Sequence, residues 1–351
     1  MAGATLDPRL LAPGAGPSPA ELVAADLGGG PALLRIEGSA PSWAELAGLD
    51  DDARAEVRRF LGHVAALTVG VGPAPPELAG AFDLWTTDPA EADRWAKGFD
   101  RAPRAAMCGA LLVRAASVSG DPWPGLVAES TTYSLLQAGP EFREWLEHRP
   151  RAARADARPR VRVERDDRCW EVVLTRPDRH NALDARMRDE LYVALDEARS
   201  RPDVTVALRG DGPSFCSGGD LDEFGTAPGP VDAHAVRLGR SLALLVSEMR
   251  DRIVVGIHGA CLGAGIELPA FARRVVAADD ARLGLPELDL GLVPGAGGTV
   301  SIPRRAGSPA LLDLLLSGGT VDARAALAHG LVDEVVPGAR LRARVLELAR
   351  R

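Results

Sequence analysis

From residue 161 onward, apolar residues come in short runs of strand length, in VRVERDDRCWEVVL, VTVALRG, RIVVGIHG and RRVVAAD, each closed by polar or glycine-rich turns. Between them the apolar positions recur at helical spacing, in ALDARMRDELYVALDEARSR and from about 233 to 250. Strands alternating with helices over short connections predict an α/β fold of parallel strands covered by helices. Upstream the period is helical. SWAELAGLDDDARAEVRRFLGHVAAL (42–67) reads as a helix opened by a capping serine, and APRAAMCGALLVRAAS and AESTTYSLLQAGPEFREWL read as helices too. Residues 31–148 are therefore expected to form a mostly helical N-terminal domain. Residues 1–30, rich in Pro, Gly and Ala and ending in GGG, read as a loose lead-in. RPRAARADARPR (149–160), charged and bracketed by prolines, reads as the linker to a second domain at 161–351.

With 351 residues, 46% of them apolar, the chain is long enough for two domains and a core of ordinary size. A net charge of −8 and the lack of a basic stripe interleaved with aromatics exclude a nucleic-acid partner. Lys97, the only lysine, excludes a Walker phosphate loop and reads as part of a solvated helix. Cys108, Cys169, Cys216 and Cys261 have neither zinc-site spacing nor a secreted disulfide pattern, so they read as buried thiols in a reducing compartment. No signal-peptide core and no apolar run of membrane-spanning length occurs, which leads to the expectation of a cytoplasmic protein without a membrane partner.

Three glycine-rich stretches follow strands: SFCSGGDLDEF at 214–224, HGACLGAGIEL at 258–268 and GLVPGAGG at 291–298. None has the dinucleotide fingerprint, and the G-x-S-x-G nucleophile elbow is missing. What such turns offer is backbone chemistry: with little side-chain bulk, amides from two turns can converge on one developing oxyanion. The glycines also serve simply to make turns, and each stretch alone is better read that way. Glu287 adds a different signal. It stands in LGLPELDLGLVPGAGG among leucines, a proline and glycines, where loss of hydration raises a carboxyl pKa.

Taken together, RPDRHNALD (176–184), SFCSGGDL (214–221), HGACLGAGIEL (258–268), LGLPELDLGLVPGAGG (283–298) and SGGTVDARAALAHGLVDEVVP (317–337) resemble the crotonase, or enoyl-CoA hydratase/isomerase, superfamily over about half of the chain. The resemblance implies a spiral of ββα units, assembled as a homo-oligomer (a trimer or hexamer), that binds an acyl-CoA thioester. By position it implies an oxyanion hole from Gly219 and Ala264 and catalytic carboxylates at Glu267 and Glu287. It places Arg176, Arg179, Ala182, Ser217, Asp220, Leu221 and Gly263 on the substrate, with plain surface arginine an equal reading for the first two. No metal is implied, and no cofactor beyond the coenzyme A of the substrate. The expected reaction is hydration of an enoyl-CoA, with isomerisation, cofactor-free oxygenation of an arylacetyl-CoA, or non-catalytic acyl-CoA binding as alternatives. A helical domain ahead of the core also resembles the dihydroxyphenylacetyl-CoA dioxygenase branch, but Glu267 stands where that branch carries glutamine.

Some positions depart from the family pattern. Pro269 and Arg273 follow Glu267, with Arg273 in place of an aspartate, and TVSIPRR (299–305) lacks the usual Gln-Arg pair. The crotonase-like part closes soon after EVVP, so the N-terminal domain is expected to cover the core, with AESTTYSLLQAGPEFREWL as its packing helix. His180 and His258 read as structural.

Overall fold

A computed structural model describes residues 3–13, 32–73, 76–116, 120–149 and 157–351. Of the proposed lead-in, residues 1–2 and 14–30 lie outside that range, as do residues 150–156 of the proposed linker. Residues 3–13 are not loose: β1 (Gly3–Leu6) joins a parallel sheet in the order β1-β2-β3-β4, with β2 at Ala32–Glu37, β3 at Ala66–Val71 and β4 at Leu84–Thr86. Side-chain alternation gives this sheet two apolar faces. Leu34 and Ile36 pack with Trp43, Leu46 and Leu61 of α1 (Ala40–Ala47) and α2 (Asp51–His63). Leu33, Leu67, Val69 and Val71 face the main core instead.

Helices do fill most of the region up to 148, and the sheet is what the sequence reading left out. Short apolar runs buried on both faces carry no alternation, so periodicity alone does not separate them from helix. The single helix expected over 42–67 is two helices and the first residues of β3. Gly48 ends α1, Asp50 caps α2 by accepting from the Ala53 amide at 2.8 Å, and the chain enters β3 at Ala66. The helix expected over 233–250 likewise divides at Ser241.

The helices α3 (Pro89–Arg101), α4 (Pro103–Ala116), α5 (Trp123–Gln137) and α6 (Pro140–Glu147) follow. The second half contains β5 (Val161–Arg165), β6 (Cys169–Leu174), α7 (Ala185–Arg199), β7 (Thr205–Gly210), α8 (Pro230–Gly239), α9 (Leu242–Glu248), β8 (Ile253–Ile257), β9 (Ala260–Leu262) and α10 (Ala264–Glu267). It continues through β10 (Arg274–Ala278), β11 (Arg282–Gly284), α11 (Gly298–Ala306), α12 (Ser308–Ser317), β12 (Thr320–Asp322), α13 (Ala323–Ala328), β13 (Glu334–Val336) and α14 (Leu341–Ala349). The large sheet runs β13-β10-β8-β7-β6-β5, parallel except for the β5–β6 pair, and a small sheet runs β12-β11-β9.

One hydrophobic core runs through both halves, from Trp95 and Phe99 on α3 to Leu311, Leu312 and Leu315 on α12. The contact is close at defined points. A β-carbon on Gly98 would lie 2.0 Å from the Leu316 carbonyl oxygen, and one on Gly295 would lie 2.5 Å from the Tyr133 ring. Trp95 Nε1 donates to Asp313 at 2.7 Å, and Arg101 pairs with Asp289 at 2.7 Å. The segment AESTTYSLLQAGPEFREWL lies on this seam as expected, but as α5 and α6, broken at Ala138–Gly139.

Candidate active site

The first glycine turn is fixed from the side by RPDRHN. Asn181, at φ 54°, accepts the Arg176 amide at 2.7 Å and donates to the carbonyls of Asp211 and Ser214 at 2.9 and 2.8 Å. Next to it the Leu183 amide donates to Gly218 O (2.8 Å) and the Asp220 amide to Leu183 O (3.0 Å). The Gly219 amide between them has no protein acceptor among the described residues. The second turn is brought beside the first by pairing of residues 216 and 261, in which Leu262 N donates to Cys216 O at 3.0 Å. Gly263 then takes φ +50°, a conformation suited to glycine, and α10 starts with the Ala264 amide free of an intrahelical acceptor.

Three carboxylates are buried behind these turns: Glu267 and Glu129 at 2% exposure and Glu287 at 7%. Glu267 ends α10, and Glu287 opens a 3-10 turn over Glu287–Leu290. Both reach Gly263, since a β-carbon there would lie 2.7 Å from Glu287 Oε1 and 3.7 Å from Glu267 Oε1. Glu287 Oε2 is buried without a hydrogen-bond partner. Glu129 comes from α5, in the N-terminal half. The amides entering α11 are shared alternately between two acids. Ala296 and Gly298 donate to Glu267 Oε2 at 2.7 and 2.8 Å, while Gly297 donates to Glu129 Oε1 at 2.7 Å and Thr299 to Oε2 at 2.9 Å. The Thr299 hydroxyl adds a bond to Glu129 at 2.7 Å, and Ser301 Oγ donates to the Glu267 carbonyl at 2.7 Å. The departure TVSIPRR thus supplies one hydroxyl to the Glu129 carboxylate and one to the backbone carbonyl of Glu267.

Burial raises all three carboxyls, because a charged form loses hydration. Glu287 rises from its ordinary 4.5 to about 8, with the charges of Glu129 and Asp289 adding to the effect. Glu129 rises to about 7, held back by its bonds from Thr299 and Gly297. Glu267 moves well above its ordinary value through burial, then through the charges of Glu287 and Glu129, against the two amides. A carboxyl whose native pKa exceeds its unfolded value keeps a proton that the unfolded chain has released, so stability falls as pH rises through that window. For Glu287 the window runs from 4.5 to about 8, at up to about 1.4 kcal/mol per pH unit. Melting of the unliganded protein is expected to shift downward between about pH 5 and pH 8.5, and Glu287→Gln to flatten that slope. A wild-type melting temperature that stays constant across the range would show that these acids titrate normally.

Other predicted residues are placed differently. Arg176 is 9% exposed and its guanidinium is committed inward, to Asp220 at 2.6 Å, Asp184 at 3.3 Å and the Ala182 carbonyl at 3.0 Å. Asp220 is thereby its counter-ion, so Arg176 and Asp220 shape the turn, and a direct anion contact would require breaking a buried pair. Arg179 is a third exposed and pairs with Asp222 and, at 3.7 Å, with Asp220. Ala182, Ser217 and Leu221 are half-buried around the first turn, and Gly263 separates the two acids. His180 Nδ1 lies 2.9 Å from Ser214 Oγ and His258 Nε2 2.9 Å from Gly212 O, both in scaffold positions. Arg273 donates to Leu348 O at 2.7 Å, tying α14 rather than packing under Glu267. Lys97 is exposed, and the cysteines are free thiols, Cys108 only half-buried. Among the described residues no helix is long and apolar enough to cross a membrane.

Glu129, Thr299 and Tyr133 were not singled out in the sequence. The available signal was Glu129 itself, the one charged residue of the fifteen in α5.

Two free amides at adjoining turns of a ββα core, with buried acids behind them, define a protein of the crotonase class. The chain belongs to the enoyl-CoA hydratase/isomerase family, whose model matches residues 164–351. It is 37% identical over 172 residues to a Bacillus subtilis protein named "Probable enoyl-CoA hydratase", a match covering 48% of this chain and 66% of that one. Among solved structures it resembles an enoyl-CoA hydratase from Thermoplasma volcanium, at 29% identity and a TM-score of 0.51, over 55% of this chain and 79% of that one. An enoyl-CoA hydratase/carnitine racemase from Magnetospirillum magneticum is similar at 29% identity and a TM-score of 0.51, over 56% and 74%.

Proposed function

We propose that this chain hydrates an enoyl-CoA thioester, with Glu267 and Glu287 handling the water and the amides of Gly219 and Ala264 holding the thioester oxygen. The observation that carries the reading is the approach of both carboxyls to Gly263, the residue directly before the Ala264 amide. Glu267, whose ionised form the Ala296 and Gly298 amides favour against the burial that raises its pKa, takes a proton from water as the water oxygen bonds to C3. Electron density moves through the double bond onto the thioester oxygen, where the two amides stabilise the enolate. Glu287, protonated at neutral pH, delivers its proton to C2. Glu129 acts behind this pair by fixing the turn that orients Glu267. Acyl-CoA thioesters incubated with the purified protein and read by mass spectrometry test the reaction. Gain of water supports it, whereas bond migration without a mass change, gain of oxygen or release of free CoA each favours another chemistry.

Ala264 acts through its amide. Ala264→Gly is expected to be mild, while Ala264→Pro, which removes the N–H, is expected to lower kcat/KM about a hundredfold or more in a folded variant. Full activity in folded Ala264→Pro would remove the oxyanion assignment. The proposal extends to a cytoplasmic homo-oligomer in a multiple of three, for which exposed Leu135, Val231 and Val236 offer apolar contact surface, checked by light scattering.

A further inference from the structure

Next to the three acids lies a cavity of ≈ 140 Å³, bounded by α5, α8, α9 and the turn at 295–297. It adjoins the proposed reaction centre. Its wall residue Leu183 is bridged to Gly219, Ala296 holds Glu267, and Leu268 follows Glu267 in the chain. Leu126, Leu183, Leu242 and Leu268 make hydrocarbon walls, and the volume admits about five water-sized groups. That is room for a short acyl chain.

One wall residue does not suit a plain hydrocarbon. Arg237 of α8 lies over the Tyr133 ring, 4.7 Å from its centre, and burial lowers its pKa. Its donors meet only neutral oxygens: Ser130 Oγ and Ser130 O at 3.1 Å each, Ser134 Oγ, and Gln137 Oε1 at 3.5 Å. Among the described residues no carboxylate forms an ion pair with it. Glu129 shares the cavity but directs both oxygens to Gly297 and Thr299. The other two arginines of the wall, Arg188 and Arg240, both pair with Asp189, at 2.9 and 3.5 Å. Glu129 therefore attracts the Arg237 guanidinium only across a gap, and a half-buried guanidinium with no carboxylate in contact matches one well.

We propose that the acyl group accepted here is short and ends in a carboxylate, which Arg237 meets in the cavity wall. The inference rests on the acyl-CoA reading above and adds the substrate class. Arg237 then does two things: it joins α8 to α5 through the serine oxygens and selects the acyl terminus. Because Ser130, Ser134 and Tyr133 all belong to α5, the N-terminal half would position the guanidinium that selects the substrate.

The test uses the full chain and saturated thioesters, which bind without reacting. By calorimetry at low salt, glutaryl-CoA is expected to bind at least tenfold more tightly than pentanoyl-CoA. In Arg237→Met that ratio is expected to fall to about one, and Arg237→Lys to retain part of it. A wild-type ratio near one, or a ratio unchanged in Arg237→Met, overturns the proposal. The wild-type ratio decides by itself if the variant does not fold. Turnover of the two pent-2-enoyl thioesters, with and without a terminal carboxylate, is scored separately. Selective binding without hydration would defeat the hydratase reading alone, and hydration without selectivity would defeat this inference alone.

Discussion

Glu287→Gln and Glu267→Gln are each expected to lower kcat for hydration by about 10²- to 10⁴-fold, the range for losing a positioned acid or base. Binding of a saturated acyl-CoA is expected to change little, because the isosteric amide keeps the packing around Gly263 and removes only the transferable proton or the charge. Burial holds Glu287 protonated near pH 7, and no protein donor holds its Oε2, so it is free to give a proton. Burial and the charges of Glu287 and Glu129 raise Glu267 too, but the Ala296 and Gly298 amides hold one of its oxygens and favour the ionised form a base needs, while the other oxygen is directed towards Gly263. Steady-state kinetics with calorimetry on the same preparations separates turnover from binding. Wild-type rates in both variants would end the two-carboxylate mechanism. Loss in Glu287→Gln alone, with bond migration as the wild-type product, would establish isomerase chemistry.

Removing residues 1–157 is expected to leave a chain that aggregates and has no measurable turnover. Leu311, Leu312 and Leu315 of α12 are buried in the core that includes α3 and α4, and their exposure would create a large apolar patch. Gly295 would lose the Tyr133 ring, and the Gly297 and Thr299 amides would lose Glu129. A buried donor left unpaired costs about 1–3 kcal/mol, and both donors sit in the turn that orients Glu267. Glu129→Ala in the full chain is the milder form, expected to lower kcat by about tenfold or more while the protein stays soluble. Light scattering and acyl-CoA turnover read both. If the chain starting at residue 158 stays soluble, keeps the oligomeric state and turns over substrate, the N-terminal half is only a passenger.

The sequence by itself determined the order of the main strands and helices from residue 161 to about 278, because strand runs and helical runs there differ in period and are closed by glycine turns. It also marked Glu287, since a carboxylate among leucines and glycines is unusual in composition alone, whereas Glu267 was marked only through the resemblance to the crotonase superfamily. It did not determine the N-terminal sheet. ALTVGV is buried throughout, which erases the alternation that distinguishes a strand, and ALLRIE alternates only over residues 34–37, too short a run to separate strand from helix. Nor did it show that Arg176 is neutralised by Asp220, because that pairing depends on residues 44 positions apart meeting across the first turn. Glu129 belongs to the tertiary structure most of all. It lies 168 residues before Gly297, and its role exists only because α5 packs on α11, where two acids from distant segments share four consecutive amides. Local pattern fixes which groups are polar in apolar surroundings, but which of them face one another is decided by long-range packing that a period cannot encode.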